Sequence, residues 1–210
     1  KDKIPIFVGG SGLYLDSLIK GISPIPKIPE KIRLKIRCIH KKFGNHYFYE
    51  KLKKVDQKYS LTISKNDSQR LLRAMEVKVA TGKSFSKWHQ IKKKGMFKRY
   101  VYVVIKNDRA LLYRKINERC SDMVESGVLE EVNGFLKKKI AKNHPIYKSI
   151  GLKSFEQYLN GKMNLDDSIS DFMQETRRYA KRQITWFNNR SKDSKHLNLS
   201  QAKSFILQNI

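Results

Sequence analysis

The residues best placed to bind a phosphate group form a glycine turn near the start of the chain. Residues 9–12 read Gly-Gly-Ser-Gly, directly after the apolar, β-branched run at residues 4–8. A periodic apolar segment begins at Leu13, so the order predicts a buried strand, a tight turn and a helix. Backbone N–H groups at such a turn bind phosphate oxygens, and the Ser11 hydroxyl would add a donor. As many such turns only reverse the chain, the motif alone is weak evidence.

Other catalytic patterns are missing from the sequence. No G-x-x-x-x-G-K-[ST] phosphate loop occurs in these residues. The five histidines have no metal-ligand spacing, and neither do Cys38 and Cys120. No Ser–His–Asp order or carboxylate pair stands out. An enzymatic reaction would therefore draw its general base from outside these residues.

Net charge is the strongest signal of a partner. The chain has 45 Lys and Arg against 19 Asp and Glu, a formal charge of +26. This excess favours a polyanionic partner, most simply nucleic acid, although a general lysine bias would explain part of it. A membrane surface is less favoured, because the basic residues are spread over many segments. The longest apolar run, residues 100–105, is far shorter than the roughly 20 residues that cross a bilayer. With two distant cysteines, the simplest expectation is a reduced, cytoplasmic protein.

The chain divides into three predicted regions. Residues 1–26 hold the strand, the glycine turn and one helix, and prolines follow. Residues 27–95 are predicted to be a helical, lysine-rich region. Residues 96–210 start with a strand at 100–105 and then become helical, with a polar tail after Arg190.

One predicted helix presents an amide and two guanidinium groups together. Asn66 is its expected N-cap, Gln69 the capping-box partner and Gly82 its C-terminal stop. Its apolar face is predicted to contain Leu71, Leu72, Met75 and Val79. Its opposite side holds Gln69, Arg70 and Arg73.

A second predicted helix, at residues 165–187, carries a basic stripe. Its broad packing face comprises Ile169, Phe172, Met173, Thr176, Tyr179, Ala180, Gln183, Trp186 and Phe187. The opposite face comprises Arg177, Arg178, Lys181, Arg182 and Thr185. A solvated charged face is the usual explanation of such a stripe. Here no acidic residue accompanies it over two turns, so pairing within the helix does not explain it.

These motifs occur in one order along nearly the whole chain, and together they resemble the tRNA dimethylallyltransferases (tRNA isopentenyltransferases). The similar segments are I-P-I-F-V-G-G-S-G-L-Y (4–14), N-D-S-Q-R-L-L-R-A-M-E-V (66–77), T-G-K-S (81–84), L-Y-R-K-I-N-E-R (112–119), E-S-G-V-L-E-E-V (125–132), K-S-I-G-L-K (148–153) and R-R-Y-A-K-R-Q-I-T-W-F (177–187). The N-D-x-Q-R and A-K-R-Q-x-T-W strings are the most specific. In the family, a phosphate loop and an aspartate base belong to an amino-terminal part that these residues do not include.

The resemblance implies a fold and an activity. The fold would be α/β, with a P-loop NTPase-like parallel-sheet core, incomplete here, and a mainly helical insertion, so that the residues present are predominantly α. The enzymes transfer a dimethylallyl group from dimethylallyl diphosphate to N6 of the adenosine 3′ of the tRNA anticodon, and they depend on Mg²⁺. The expected partners are a tRNA anticodon stem-loop and dimethylallyl diphosphate, and the expected state is a monomer.

The resemblance also implies site residues. Ser11, usually Thr in the family, would be catalytic, and Gly9, Gly10 and Ser11 would form the turn near the pyrophosphate. The tRNA-contacting residues would be Arg33, Gln69, Arg70, Leu71, Leu72, Arg73, Lys148, Ser149, Ile150, Gly151, Leu152 and Lys153. The family often has Arg at one or both of the Lys148 and Lys153 positions and Tyr at that of Leu152, so this segment has lost bidentate phosphate recognition. Arg178, Lys181 and Arg182 form a candidate RNA-facing stripe.

Three functional hypotheses remain open at this stage. The chain is part of an active transferase, whose amino-terminal segment is absent here or supplied by a separate fragment. Alternatively, it is a truncated or split product that binds tRNA without catalysis. An unrelated basic RNA-binding domain is the third hypothesis, and it leaves the ordered motifs unexplained. An upstream reading frame encoding a phosphate loop and an aspartate would favour the first.

Overall fold

The computed structural model of the protein describes residues 3–91, 94–138, 140–141, 144–191 and 193–209. Within them the helices are α1 (Gly12–Lys20), α2 (Glu30–Val55), α3 (Gln57–Ser60), α4 (Ser68–Thr81), α5 (Phe85–His89), α6 (Arg109–Glu125), α7 (Val128–Lys137), α8 (Leu152–Leu159), α9 (Leu165–Arg190) and α10 (Leu199–Asn209). A 3₁₀ turn covers Pro145–Lys148, and the strands are β1 (Val103–Ile105) and β2 (Lys195–Leu197). The described part of the chain contains no helix long and apolar enough to span a bilayer.

The chain forms two compact units. The continuous unit is Asp16–Lys98, and the split unit combines Lys1–Leu15 with Arg99–Ile210. The mostly helical architecture with a small parallel sheet confirms the broad fold expected from the sequence.

The core of the continuous unit lies between α2 and α4. Phe48 and Leu52 of α2 pack there with Leu71 and Met75 of α4. The α2 helix bends at Gly44, whose φ of 73° is in the left-handed region that glycine adopts readily. Following α2, the buried Asp56 accepts hydrogen bonds from the backbone N–H of Tyr59 at 3.2 Å and of Ser86 at 2.8 Å. These bonds fix α3 and α5 beside the main helix pair.

The split unit has its own core, formed by α6, α7, α8 and α9. The buried residues of this core are Cys120, Val132, Leu152, Phe155 and Phe172. Burial raises the pKa of the Cys120 thiol, which favours its neutral form. In the same unit, β1 pairs in parallel with β2, with Val103 opposite Lys195 and Ile105 opposite Leu197.

Two strand expectations have opposite outcomes. The strand predicted at 100–105 is confirmed as the shorter β1. The strand predicted at 4–8 is wrong, because this segment joins no ladder among the described residues and Val8 is 92% exposed. A strand is stabilised by hydrogen bonds to a neighbour as well as by its apolar side chains, and β1 and β2 bond to each other.

The two informative helices are confirmed, with corrections. The second extends to Arg190 as α9. In the first, the predicted N-cap is wrong: Asp67, not Asn66, caps α4, and its carboxylate accepts the backbone N–H of Arg70 at 3.0 Å. Val79 is exposed, so it lies outside the apolar face on which the sequence placed it. Gly82 is confirmed as the C-cap, with a φ of 69°.

The corrected cap makes a direct prediction for stability. Asp67→Ala should lower the free energy of unfolding by about 1 kcal/mol, because the N–H of Arg70 loses its acceptor. Asn66→Ala is the matched control, since Asn66 is exposed and its side chain makes no hydrogen bond within the described residues; its effect should stay within about 0.5 kcal/mol. Urea denaturation followed by circular dichroism measures both. A larger loss of unfolding free energy for Asn66→Ala than for Asp67→Ala would show that Asn66 is the N-cap.

Candidate functional site

The glycine turn lies directly against α9. The carbonyl of Gly10 accepts a hydrogen bond from Nε2 of Gln183 at 3.1 Å. A Cβ atom on Gly10 would stand 2.1 Å from that same nitrogen, and one on Gly12 would stand 2.1 Å from the ring of Trp186. An added Cβ would therefore displace the Gln183 amide at Gly10, and at Gly12 it would collide with the bulky indole ring. Between them Ser11 is exposed at the start of α1, where its hydroxyl is accessible to a ligand.

A basic groove follows the exposed side of α9. It is an open cavity of about 510 Å³, lined by Arg178, Lys181, Arg182, Thr185, Trp186, Asn189 and Arg190. Trp186 belongs both to this groove and to the packing against Gly12, so the groove adjoins the glycine turn. No carboxylate is among the lining residues. The groove therefore has the charge and position to bind a polyanion next to the turn.

The basic stripe on α9 contains fewer exposed side chains than the sequence predicted. Arg178, Lys181 and Arg182 are exposed, and they form no ion pair within the described part of the chain. Arg177 was expected on the same face, but its guanidinium donates to Oδ1 of Asn117 at 3.0 Å and ties α9 to α6. Tyr179 was expected on the packing face and is 42% exposed, with the Arg182 guanidinium 5.6 Å from its ring centroid.

The segment at residues 148–153 turns the chain into α8. Lys148, Ser149 and Lys153 are exposed, Ile150 is half-buried and Leu152 is buried in the core. The backbone N–H of Gly151 donates to the Glu175 carboxylate of α9 at 3.1 Å. The exposed lysines are therefore presented on a turn that is fixed to α9, while Leu152 supports that turn from below.

The remaining predicted contact residues lie on the continuous unit. Gln69, Arg70 and Arg73 are exposed along α4, as the helical pattern predicted. Leu72 is half-buried and Leu71 fully buried, so the Leu71 side chain belongs to the core. Arg33 lies half-buried on α2 and pairs with Glu30 at 3.2 Å. Arg70 pairs with the capping Asp67 at 2.7 Å.

Comparison with known proteins places this arrangement in a family. A family model described as IPP transferase matches residues 1–190. The chain belongs to the IPP transferase family. It is 40% identical over 192 residues to a tRNA dimethylallyltransferase of Wolbachia sp. subsp. Brugia malayi, and 44% identical over 192 residues to one of Pelagibacter ubique. These alignments cover 91% and 90% of this chain, but the chain spans only 65% and 61% of the two relatives.

A solved structure of the same family has a similar fold. It is a eukaryotic dimethylallyltransferase acting on tRNA, with a TM-score of 0.76 and 26% sequence identity. The match covers 99% of this chain and 58% of that chain. The mostly helical fold of this chain, with its small parallel sheet, is thus similar to the matching part of that dimethylallyltransferase.

Two groove residues and one contact of the glycine turn were missed by the sequence analysis of this IPP transferase family member. Asn189 and Arg190 lie beyond the predicted end of the helix, and the structure places them on the groove wall. Gln183 was assigned to the packing face, although it contacts the backbone of the glycine turn. Continuing the helical period to the Ser191 cap would have found the first two, whereas the third depends on a contact between distant segments.

The described residues contain no cluster of three or more His, Cys, Asp or Glu side chains that could hold a metal ion. Mg²⁺ is commonly bound through substrate phosphates and few protein ligands, so the ion is not assigned to any residue of this chain.

Proposed function

We propose that this protein acts in the transfer of a dimethylallyl group from dimethylallyl diphosphate to N6 of the adenosine 3′ of the anticodon in tRNA. The product would be N6-(dimethylallyl)adenosine. The observation that carries the proposal is the basic groove of α9, which shares Trp186 with the glycine turn. Such an arrangement would bring an RNA chain and a diphosphate to neighbouring positions.

The chemistry assigns different tasks to the two parts of this site. Adenine N6 forms a bond to the allylic carbon while the carbon–oxygen bond to diphosphate breaks, and the N6 proton leaves. The adenine must first leave the stack of the anticodon loop. Arg178, Lys181 and Arg182 would hold the RNA phosphates, while Ser11 and the backbone of Gly9 and Gly10 would face the diphosphate. The exposed Lys148 and Lys153 would add charge at the edge of the RNA surface.

Further parts of the proposal come from the family resemblance. The β1–β2 pair would belong to a P-loop NTPase-like core, and the helical continuous unit would contact the anticodon stem-loop through Arg33, Gln69, Arg70 and Arg73. Mg²⁺ would enter bound to the diphosphate, and no step is assigned to it. The protein would work as a cytoplasmic monomer, complemented in one alternative by a separate fragment that contains the phosphate loop.

A second candidate function is tRNA binding without catalysis. It is favoured by the basic groove of α9, which would bind RNA whether or not the transfer reaction takes place.

One experiment separates the two candidates. The chain is incubated with dimethylallyl diphosphate, Mg²⁺ and an anticodon stem-loop, with and without a fragment carrying the phosphate loop and its aspartate, and nucleosides are identified by mass spectrometry. Modified adenosine in either reaction supports the transferase. Intact stem-loop binding with no product in both reactions supports the binding function, and absence of stem-loop binding contradicts both.

A further inference from the structure

A buried carboxylate lies beneath the predicted RNA-contacting face of α4. The side chain of Glu76 is 6% exposed, and its helix neighbours Met75 and Val77 are buried apolar residues. An ionised carboxylate at such a depth is strongly unfavourable unless cations or hydrogen-bond donors compensate for the lost water. The cationic groups that contact Glu76 therefore explain how a charged residue is accommodated at this buried position.

Two arginines share the Glu76 carboxylate, one on each oxygen. Nε of Arg37, from α2, lies 3.8 Å from Oε1, and Nη1 of Arg73, from α4, lies 3.8 Å from Oε2. The two helices that form the core of the continuous unit thus each send one guanidinium to the same buried anion. The three groups together carry a net charge of +1.

Both arginines remain open to solvent although their partner is buried. Their side chains are 54% and 44% exposed for Arg37 and Arg73. A guanidinium has five N–H donors, and an ion pair at 3.8 Å is longer than a hydrogen bond, so the contact with Glu76 leaves these donors available. They form a planar fork that matches a phosphate group, which a lysine would not provide.

The surroundings extend this pair into a basic face. Arg33 lies four residues before Arg37 on α2, and Arg70 lies three residues before Arg73 on α4. Residues at these spacings are neighbours on one side of a helix. Their acidic partners, Glu30 and Asp67, lie on the same helix or at its cap, whereas Glu76 connects arginines of two helices.

We propose that Glu76 is a positioning residue that holds Arg37 and Arg73 as a paired clamp for backbone phosphates of RNA. This adds Arg37 to the contact residues, and it rests on the RNA-binding part of the proposed function. A buried anchor reduces the rotamer freedom that each arginine would otherwise lose on binding, so the clamp is preorganised.

Glu76→Gln tests the positioning role by the sign of its effect. The substitution removes a negative charge, so electrostatics alone predicts tighter RNA binding. The clamp predicts weaker binding, by about fivefold at ~0.1 M salt, because both guanidinium groups lose their ionic anchor. Affinity for a fluorescent anticodon stem-loop is measured by anisotropy with the full chain. Unchanged or tighter binding by a folded Glu76→Gln protein overturns the proposal.

Arg37 variants decide the question if Glu76→Gln does not fold. Arg37→Ala should weaken binding about fivefold and reduce the salt dependence by about one counterion. Arg37→Lys keeps the positive charge, so its salt dependence should equal that of the unsubstituted protein. Its affinity should still fall about threefold, because lysine lacks the planar fork of donors. Arg114→Ala is the matched control: Arg114 also lies 3.8 Å from a glutamate, but that partner, Glu118, is 62% exposed. Equal affinities for Arg37→Lys and the unsubstituted protein contradict the clamp.

A second probe separates this inference from the proposed function. Each protein is also titrated with an RNA hairpin unrelated to an anticodon arm. Because the clamp reads phosphates, the Arg37 and Glu76 losses should appear with both RNAs. Equal affinity of the unsubstituted protein for both RNAs would count against tRNA recognition while the variant losses still support the clamp. If the unsubstituted protein binds neither RNA, the clamp and the proposed function are both overturned.

Discussion

Replacing Arg178, Lys181 and Arg182 together by alanine is expected to weaken binding of an anticodon stem-loop by roughly 100-fold at ~0.1 M salt. The three side chains line one groove, and no carboxylate is among its lining residues in the part of the chain that the structure describes. A charge-assisted phosphate contact contributes on the order of 1 kcal/mol after desolvation, and three such contacts give this loss. Fluorescence anisotropy over a series of salt concentrations measures both the affinity and its salt slope, which should fall by about two to three.

A matched control has to remove the same charge from elsewhere in the split unit. Lys137, Lys162 and Lys203 are exposed and lie outside the groove and the predicted contact segments. Their joint replacement by alanine also lowers the net charge by three, and it should weaken binding by less than about fivefold. Similar losses for the two triple variants would mean that RNA responds only to overall charge, which contradicts a role for the groove.

The elements that the sequence predicts well are those stabilised within their own segment. The α4 and α9 helices follow from apolar periodicity and from local signals such as Gly82, and both are confirmed. The one-residue error at the α4 cap has a local cause too. Asn66 and Asp67 are both good cap residues, and only the backbone geometry decides which side chain reaches the N–H of Arg70.

Elements that depend on distant partners were missed or misplaced. The β2 strand, Lys195–Leu197, is short and polar, so no alternation marks it, and it exists through pairing with β1. Residues 4–8 have every local feature of a strand and form none, because strand formation requires a ladder partner.

The candidate site also combines features that local sequence predicts with features that depend on distant contacts. Helical spacing placed Arg70, Arg73 and the basic stripe on exposed faces, and the structure places them there. Spacing gave no indication that Gln183 would reach the carbonyl of Gly10, or that Arg37 would reach Glu76. Such contacts join segments far apart in the chain and follow only from tertiary packing.

The largest expected effect on stability is that of Gly151→Ala, at the turn that presents Lys148 and Lys153. The φ of Gly151 is 82°, where an alanine costs about 1 kcal/mol or more. In addition, the new Cβ would stand 2.5 Å from the ring of Phe172, a buried residue that packs against Phe155. Overpacking of this kind costs about 1–3 kcal/mol, so the free energy of unfolding should fall by about 3 kcal/mol in urea denaturation.

Gly161→Ala separates the two contributions. Gly161 also has a positive φ, of 69°, but a Cβ there would meet nothing within 4 Å. Gly161→Ala should therefore lower the free energy of unfolding by the backbone contribution alone, about 1 kcal/mol. Equal losses at Gly151 and Gly161 would show that Phe172 does not press on the turn. A larger loss at Gly151 would mean that the turn between the 3₁₀ segment and α8 is held by the core of the split unit, and that the exposed lysines depend on that core for their position.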